Sequence, residues 1–350
     1  MRSLLALLAC SAMASATSAA APPDRMSQAI RRGLDRLQAG AAKYTENRQC
    51  FSCHHQALTV AALVEARAKG FAIDEPLLKD QVQFTLASFA PKLAQVRKGQ
   101  SVPGGNTMTA YALFTLQQAG HARDDTTSAL VEFLLVRQHA DGSWPALMPR
   151  PPSEGSKFTN TALALQALTY YGRDESALRK RIDAAHAKGK AWLTTHEPAT
   201  MEDRISHLRG LVAQKADATK ARRALEGEQL ADGSWAQLPK MPGDAYATAG
   251  ALLALRAASL PRDDATYRKG IAYLLRTQKA DGSWIVETRS RPVQTFFDNG
   301  DPGGKSQFIS FAATGWATWA LLDSLPPDDP TKPVPRRIIP TEATAKPQEK

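Results

Sequence analysis

The heptapeptide Gln-x-x-Asp-Gly-Ser-Trp occurs three times in this chain, as Gln138 to Trp144, Gln229 to Trp235 and Gln278 to Trp284. Self-similarity at a spacing of a few tens of residues marks a repeat architecture, and it limits the fold more than any other feature here. The last two copies lie about 49 residues apart and the first two about 91, so a degenerate unit is expected between the first pair. It is visible as Lys188-Gly189-Lys190-Ala191-Trp192-Leu193, parallel to Lys269-Gly270-Ile271-Ala272-Tyr273-Leu274, with Glu197 where the Gln would stand. In the turn itself, Gly permits the positive φ that ends a helix. Asp and Ser hold the turn through side-chain hydrogen bonds, and Trp spreads apolar surface across neighbouring hairpins.

Each copy follows a one-sided amphipathic segment and precedes a more uniformly apolar one. The first kind covers 125–138, 176–195, 216–229 and 263–278; the second covers 107–119, 158–171, 203–214, 244–257 and 307–323. A helix apolar all round is buried and a one-sided helix covers it, so the pattern reads as paired outer and inner helices. Asp124-Asp125 and Asp263-Asp264 stand where outer helices begin, as capping residues should. Adding 27–43 with 54–69, and 76–97 with 107–119, gives about six hairpins. A closed ring of six buries the inner helices without leaving exposed ends. The expected fold is all-α, an α/α toroid spanning residues 22–325.

On these motifs the chain resembles the squalene-cyclase and protein-prenyltransferase repeat family, whose QW repeat is similar to the stretch from Lys269 to Trp284 and to Phe133 through Trp144. The resemblance implies inner and outer helix rings around a central cavity. Its reaction does not carry over. Squalene and hopene cyclases use an Asp-x-Asp-Asp acid motif that this chain lacks, and the widely spaced zinc ligands of prenyltransferases have no counterpart. Among members of this kind, the chain looks most similar to exported bacterial toroid proteins carrying Cys-x-x-Cys-His.

Residues 1–21 read as an export signal, with Arg2, the apolar run from Leu4 to Ala9 and an Ala-rich cleavage region, and a periplasmic or secreted location is expected. Cys10 would leave with it, so the mature chain keeps Cys50 and Cys53. No later run is long enough to span a bilayer. The segment 326–350 is rich in Pro and charge and reads as a disordered tail. The net charge of +10 favours anionic partners such as an acidic glycan, lipid headgroups or an acidic redox protein. The basic residues are scattered, part of them in the tail, and no nucleic-acid partner is expected.

Cys50-Phe51-Ser52-Cys53-His54-His55 is the stretch with the most specific chemistry. Cys-x-x-Cys-His is the attachment signature of haem c: both sulfurs add to vinyl groups, and His54 becomes the proximal iron ligand. A reducible disulfide, or zinc held with His54 and His55, would use the same residues. The motif lies at the start of the first inner helix, so partners are sought at the other inner-helix starts. His207 and Met108 are candidate second axial ligands. The loop from Phe296 to Lys305, with Asp298, Asn299 and Asp301, is a second candidate site beside His55. The leading functional expectation is an exported haem c toroid in electron transfer, sensing or redox chemistry, with a small-molecule ligand or a redox partner. The alternatives are a toroid enzyme acting on an isoprenoid or acidic polysaccharide, and a binding module with a Cys50–Cys53 disulfide.

Overall fold

The computed structural model describes residues 24–148, 150–172, 176–291 and 296–326. The signal reading, Cys10 and all but the first residue of the expected tail lie outside the described residues. Six outer helices, α1 (Arg25–Asn47), α3 (Glu75–Ala87), α6 (Asp125–Arg137), α8 (Arg179–Thr195), α10 (Thr219–Gly227) and α12 (Ala265–Thr277), are described. They alternate with six inner ones, α2 (Leu58–Ala68), α5 (Gly105–Gln118), α7 (Lys157–Tyr171), α9 (Met201–Ala213), α11 (Ala245–Ala257) and α13 (Gln307–Ser324). The short α4 (Leu93–Val96) bridges α3 and α5. The inner helices pack in chain order, and α13 returns to pack on α2, closing the ring. This is the expected all-α toroid.

Caps set where the helices begin. Asp24, Asp74, Asp124, Ser156, Thr200, Asp244 and Asp264 each accept a hydrogen bond from a backbone N–H in the first turn of the helix that follows. The expected continuous helix over 76–97 is not formed. It breaks after Ala87, and Pro91, which cannot donate into a helical ladder, opens a 3₁₀ turn before α4. No helix among the described residues is long and apolar enough to cross a membrane.

The repeated heptapeptide ties each unit to the next outer helix. The Asp141, Asp232 and Asp281 carboxylates accept from the backbone N–H and hydroxyl of the Ser two residues on. The Trp144, Trp235 and Trp284 indoles donate to the carbonyls of Leu134, Leu225 and Leu274. The leading glutamines reach further. Gln138 donates to the Ala185 carbonyl on α8, Gln229 to Thr266 on α12 and Gln278 to Ala29 on α1, each at 2.8 Å. The third copy therefore joins the last outer helix to the first and completes the outer ring. Glu197 does not act as a fourth clamp: it is exposed and pairs with Lys220 at 2.6 Å.

Candidate active site

The chain from Cys50 enters α2 through a π-helical turn, Cys53–Ala57, where the Ser52 hydroxyl accepts from the His55 N–H. Single π turns inside helical segments are frequent at functional sites. Both cysteines are free thiols; Cys50 is exposed and its sulfur lies 3.7 Å from the Tyr44 hydroxyl. Cys53 is partly buried, 3.6 Å from His54 Nδ1, and burial pushes its thiol up to about 12. Burial thus favours the neutral thiol at Cys53. No three His, Cys, Asp or Glu side chains among the described residues are grouped so as to hold a metal ion.

His54 and His55 diverge, as adjacent residues on a helical turn must. His54 is half-buried beside Phe308, with ring centroids 5.1 Å apart, and burial, then His55, then Arg150 hold its imidazole well below its ordinary value. His55 is fully buried between the Tyr44 and Phe311 rings, at 4.5 and 4.1 Å. Its Nε2 lies 2.7 Å from Asp301 Oδ2, while Nδ1 has no partner. Burial lowers its pKa, against the opposing pull of Asp301.

Asp301 comes from the loop before α13, and the loop is held by α13 itself. Gln307 accepts from the Asn299 N–H and donates to the Phe297 carbonyl, and Asn299 Nδ2 donates to Asp301 Oδ2 at 3.0 Å. Arg36 on α1 stands 3.5 Å from the other Asp301 oxygen. Of the loop residues singled out in the sequence, the structure brings Asn299 and Asp301 to His55. It leaves Asp298 exposed, accepting from the Gly300 N–H.

Inside the ring lies a cavity of about 220 Å³, lined by Tyr111, Phe114, Tyr246, Trp316 and apolar residues of α7, α9 and α11, together with polar groups that include Gln166 and Arg209. Glu202 is the one carboxylate among the described residues that line it. It is 9% exposed, accepts from the Thr159 hydroxyl at 2.7 Å and from the Tyr246 hydroxyl at 3.1 Å. Burial pushes its carboxyl above the usual range, against those two hydrogen bonds, and so favours the proton-bearing acid. Arg209, seven residues on, lies over the Trp316 and Trp319 rings at 5.2 and 5.9 Å. Cys53 is within electrostatic reach of both Tyr111 and Tyr246, so the Cys-His turn and the cavity adjoin.

No protein-family model matches this chain. The type II terpene cyclase MstE from Scytonema superposes with a TM-score of 0.53 at 14% identity, over 85% of this chain and 98% of that one. A protein from Actinoplanes gives 0.53 at 18% identity, over 85% and 99%. A glycosidase in complex with glucose gives 0.52 at 12%, over 87% and 100%. The fold is a terpene-cyclase-like α/α toroid. In sequence, the enfumafungin synthase of Hormonema carpetanum is 36% identical over 66 residues, a stretch that makes up 19% of this chain and 5% of that protein.

On this toroid the proposed partners of His54 separate. Met108 lies in the first turn of α5, and both its side chain and that of Glu154 stand beside Gly104. His207 does not reach that mouth. Because α9 begins at Met201, His207 is almost two turns into the helix, with its ring against Phe158 at 5.2 Å and its surroundings formed by Leu193, Glu197 and Lys220. It faces the outer helices. Glu202 and Arg209 were missed by sequence reasoning: Glu202 reads as a first-turn acid beside the Thr200–Asp203 capping box. Arg209 did carry a signal, since a charge beyond the first turn of an inner helix, between Leu208 and Gly210, needs a reason.

Proposed function

We propose that this chain is a toroid enzyme that acts on a small unsaturated isoprenoid in the central cavity, with Glu202 as the proton donor. The observation that carries the reading is a buried carboxyl, raised above the usual range by burial, at the wall of a cavity lined largely by aromatic and apolar side chains. Its proton passes to one alkene carbon, the π electrons form the new C–H bond, and the neighbouring carbon becomes cationic. The aromatic rings of Tyr111, Phe114 and Tyr246 stabilise the cation. Loss of a proton from an adjacent carbon to the Glu202 carboxylate forms the product alkene and restores the acid. Hydrolysis of a glycan is less well served, because it uses two carboxyl groups roughly 5–9.5 Å apart and Glu202 is the one carboxylate lining the cavity among the described residues. The test is turnover of C10 to C15 isoprenoid alcohols and acids, followed by gas chromatography. Glu202→Gln should lower product formation by about 10²- to 10⁴-fold while leaving the helical circular dichroism intact. Equal turnover by the two proteins would overturn the reading.

A second reading is favoured by the free thiols of Cys50 and Cys53 beside a His54 whose Nε2 makes no hydrogen bond among the described residues. That donor set fits one covalent haem c, attached through both sulfurs with His54 as proximal ligand, and it goes with export by the leader expected over residues 1–21. Bound there, haem would supply redox or ligand-sensing chemistry at the mouth of the toroid. Within the protein, Phe308 packs against the His54 ring, and His55 is turned away toward Asp301. Expression with a c-haem maturation system should give a haem-stained band on a denaturing gel that Cys50→Ser with Cys53→Ser abolishes. A colourless wild-type band would remove this reading and leave the cavity enzyme untouched.

A further inference from the structure

Arg209 is the cavity's unused charge. Its contacts among the described residues are the faces of Trp316 and Trp319, whose rings stack 5.6 Å apart and 8° from parallel, and it has neither a hydrogen bond nor an ion pair. Burial lowers its pKa, against the opposing pull of Tyr111, Glu202 and Tyr246. Glu202 makes no ion pair with it. Glu202 lies about 10 Å back along α9 on the same helix face, with its own oxygens occupied by Thr159 and Tyr246. The cavity thus has two ends: an acid among tyrosines near the start of α9, and an unpaired guanidinium over two indoles toward its C-terminus.

A guanidinium over an indole pair is the wrong place for a second positive charge and the right place for an anion. By contrast, Arg222, in the groove outside the C-terminal ends of α9 and α11, is already satisfied. It pairs with Glu226 at 2.7 Å and donates to the Ala258 carbonyl. From this geometry we infer that the substrate carries one anionic head group, a carboxylate or a phosphate, which binds Arg209 and directs the unsaturated tail toward Glu202. The inference rests on the cavity being the substrate site, as the proposed function holds. It sets the substrate class as an acidic isoprenoid rather than a neutral polyene, and it fixes the direction in which the molecule lies.

The test is isothermal titration calorimetry of the full chain with geraniol, geranate and geranyl phosphate. At least one anion should bind about ten- to hundredfold more tightly than the alcohol. Which one does so tells a carboxylate head from a phosphate head. Arg209→Gln should abolish the preference, Arg209→Lys should keep part of it, and Glu202→Gln should keep it in full while losing turnover. Equal affinity for alcohol and anions, or a preference that survives Arg209→Gln, overturns the inference and leaves the proposed acid chemistry standing. If none of the three binds, the cavity is not the substrate site and both readings fall. Anion preference with turnover unaffected by Glu202→Gln overturns only the acid role.

Discussion

Gly282 marks the point at which the outer ring closes, and replacing it with Ala should destabilise the protein far more than the same change at Gly70. Both glycines have positive φ, +85° and +74°. Either alanine therefore carries the left-handed backbone penalty of about 1–2 kcal/mol. A Cβ on Gly70 meets nothing within 4 Å, whereas a Cβ on Gly282 would stand 2.1 Å from the Arg32 carbonyl oxygen and 2.5 Å from its carbon. Backbone cannot rotate out of the way, so α1 must move, at roughly 1–3 kcal/mol for the overpacking. The movement also pulls the Ala29 carbonyl away from Gln278, a hydrogen bond contributing about 1 kcal/mol. The Gly282→Ala loss is then about 3–6 kcal/mol, against about 1–2 for Gly70→Ala. At roughly 2 °C per kcal/mol for a chain of this size, thermal melts followed by circular dichroism should fall by about 6–12 °C and about 2–4 °C respectively. Equal shifts would refute the claim that the third heptapeptide clasps the ring.

Asp301→Ala should cost about 2–3 kcal/mol, because it leaves the buried His55 Nε2 and the Asn299 amide without their acceptor, while Asp298→Ala should stay within about 0.5 kcal/mol; urea unfolding measures both. The Glu202 carboxyl binds its proton more tightly folded than unfolded. Wild type should therefore lose stability as pH rises from the ordinary glutamate range through the raised folded value, and Glu202→Gln should not; melts between about pH 4 and pH 8 check the sign. Over the same window, turnover that needs the protonated acid should fall as pH rises.

The ring was legible because its determinants are local and repeated. Asp, Gly, Ser and Trp do the same work at 141–144, 232–235 and 281–284, and capping aspartates mark the helix starts. The region before α5 read less well, since 76–97 has helical periodicity on both sides of Pro91 and only the break itself shows the interruption. For the site, Cys50, Cys53, His54 and His55 stood out because they are adjacent in sequence, and the loop holding Asn299 and Asp301 because its composition is unusual. Glu202 was hidden for the opposite reason. Its partners Thr159 and Tyr246 lie on α7 and α11, more than forty residues away on either side, and only closure of the toroid brings them together.

The most direct measurement is deuterium incorporation. Turnover of an acidic C10 or C15 isoprenoid in D₂O should yield a rearranged product carrying deuterium at the carbon that received the Glu202 proton, and Glu202→Gln should yield about 10²- to 10⁴-fold less of it. A product formed without solvent deuterium, or labelled equally by the Gln variant, would contradict proton donation by Glu202.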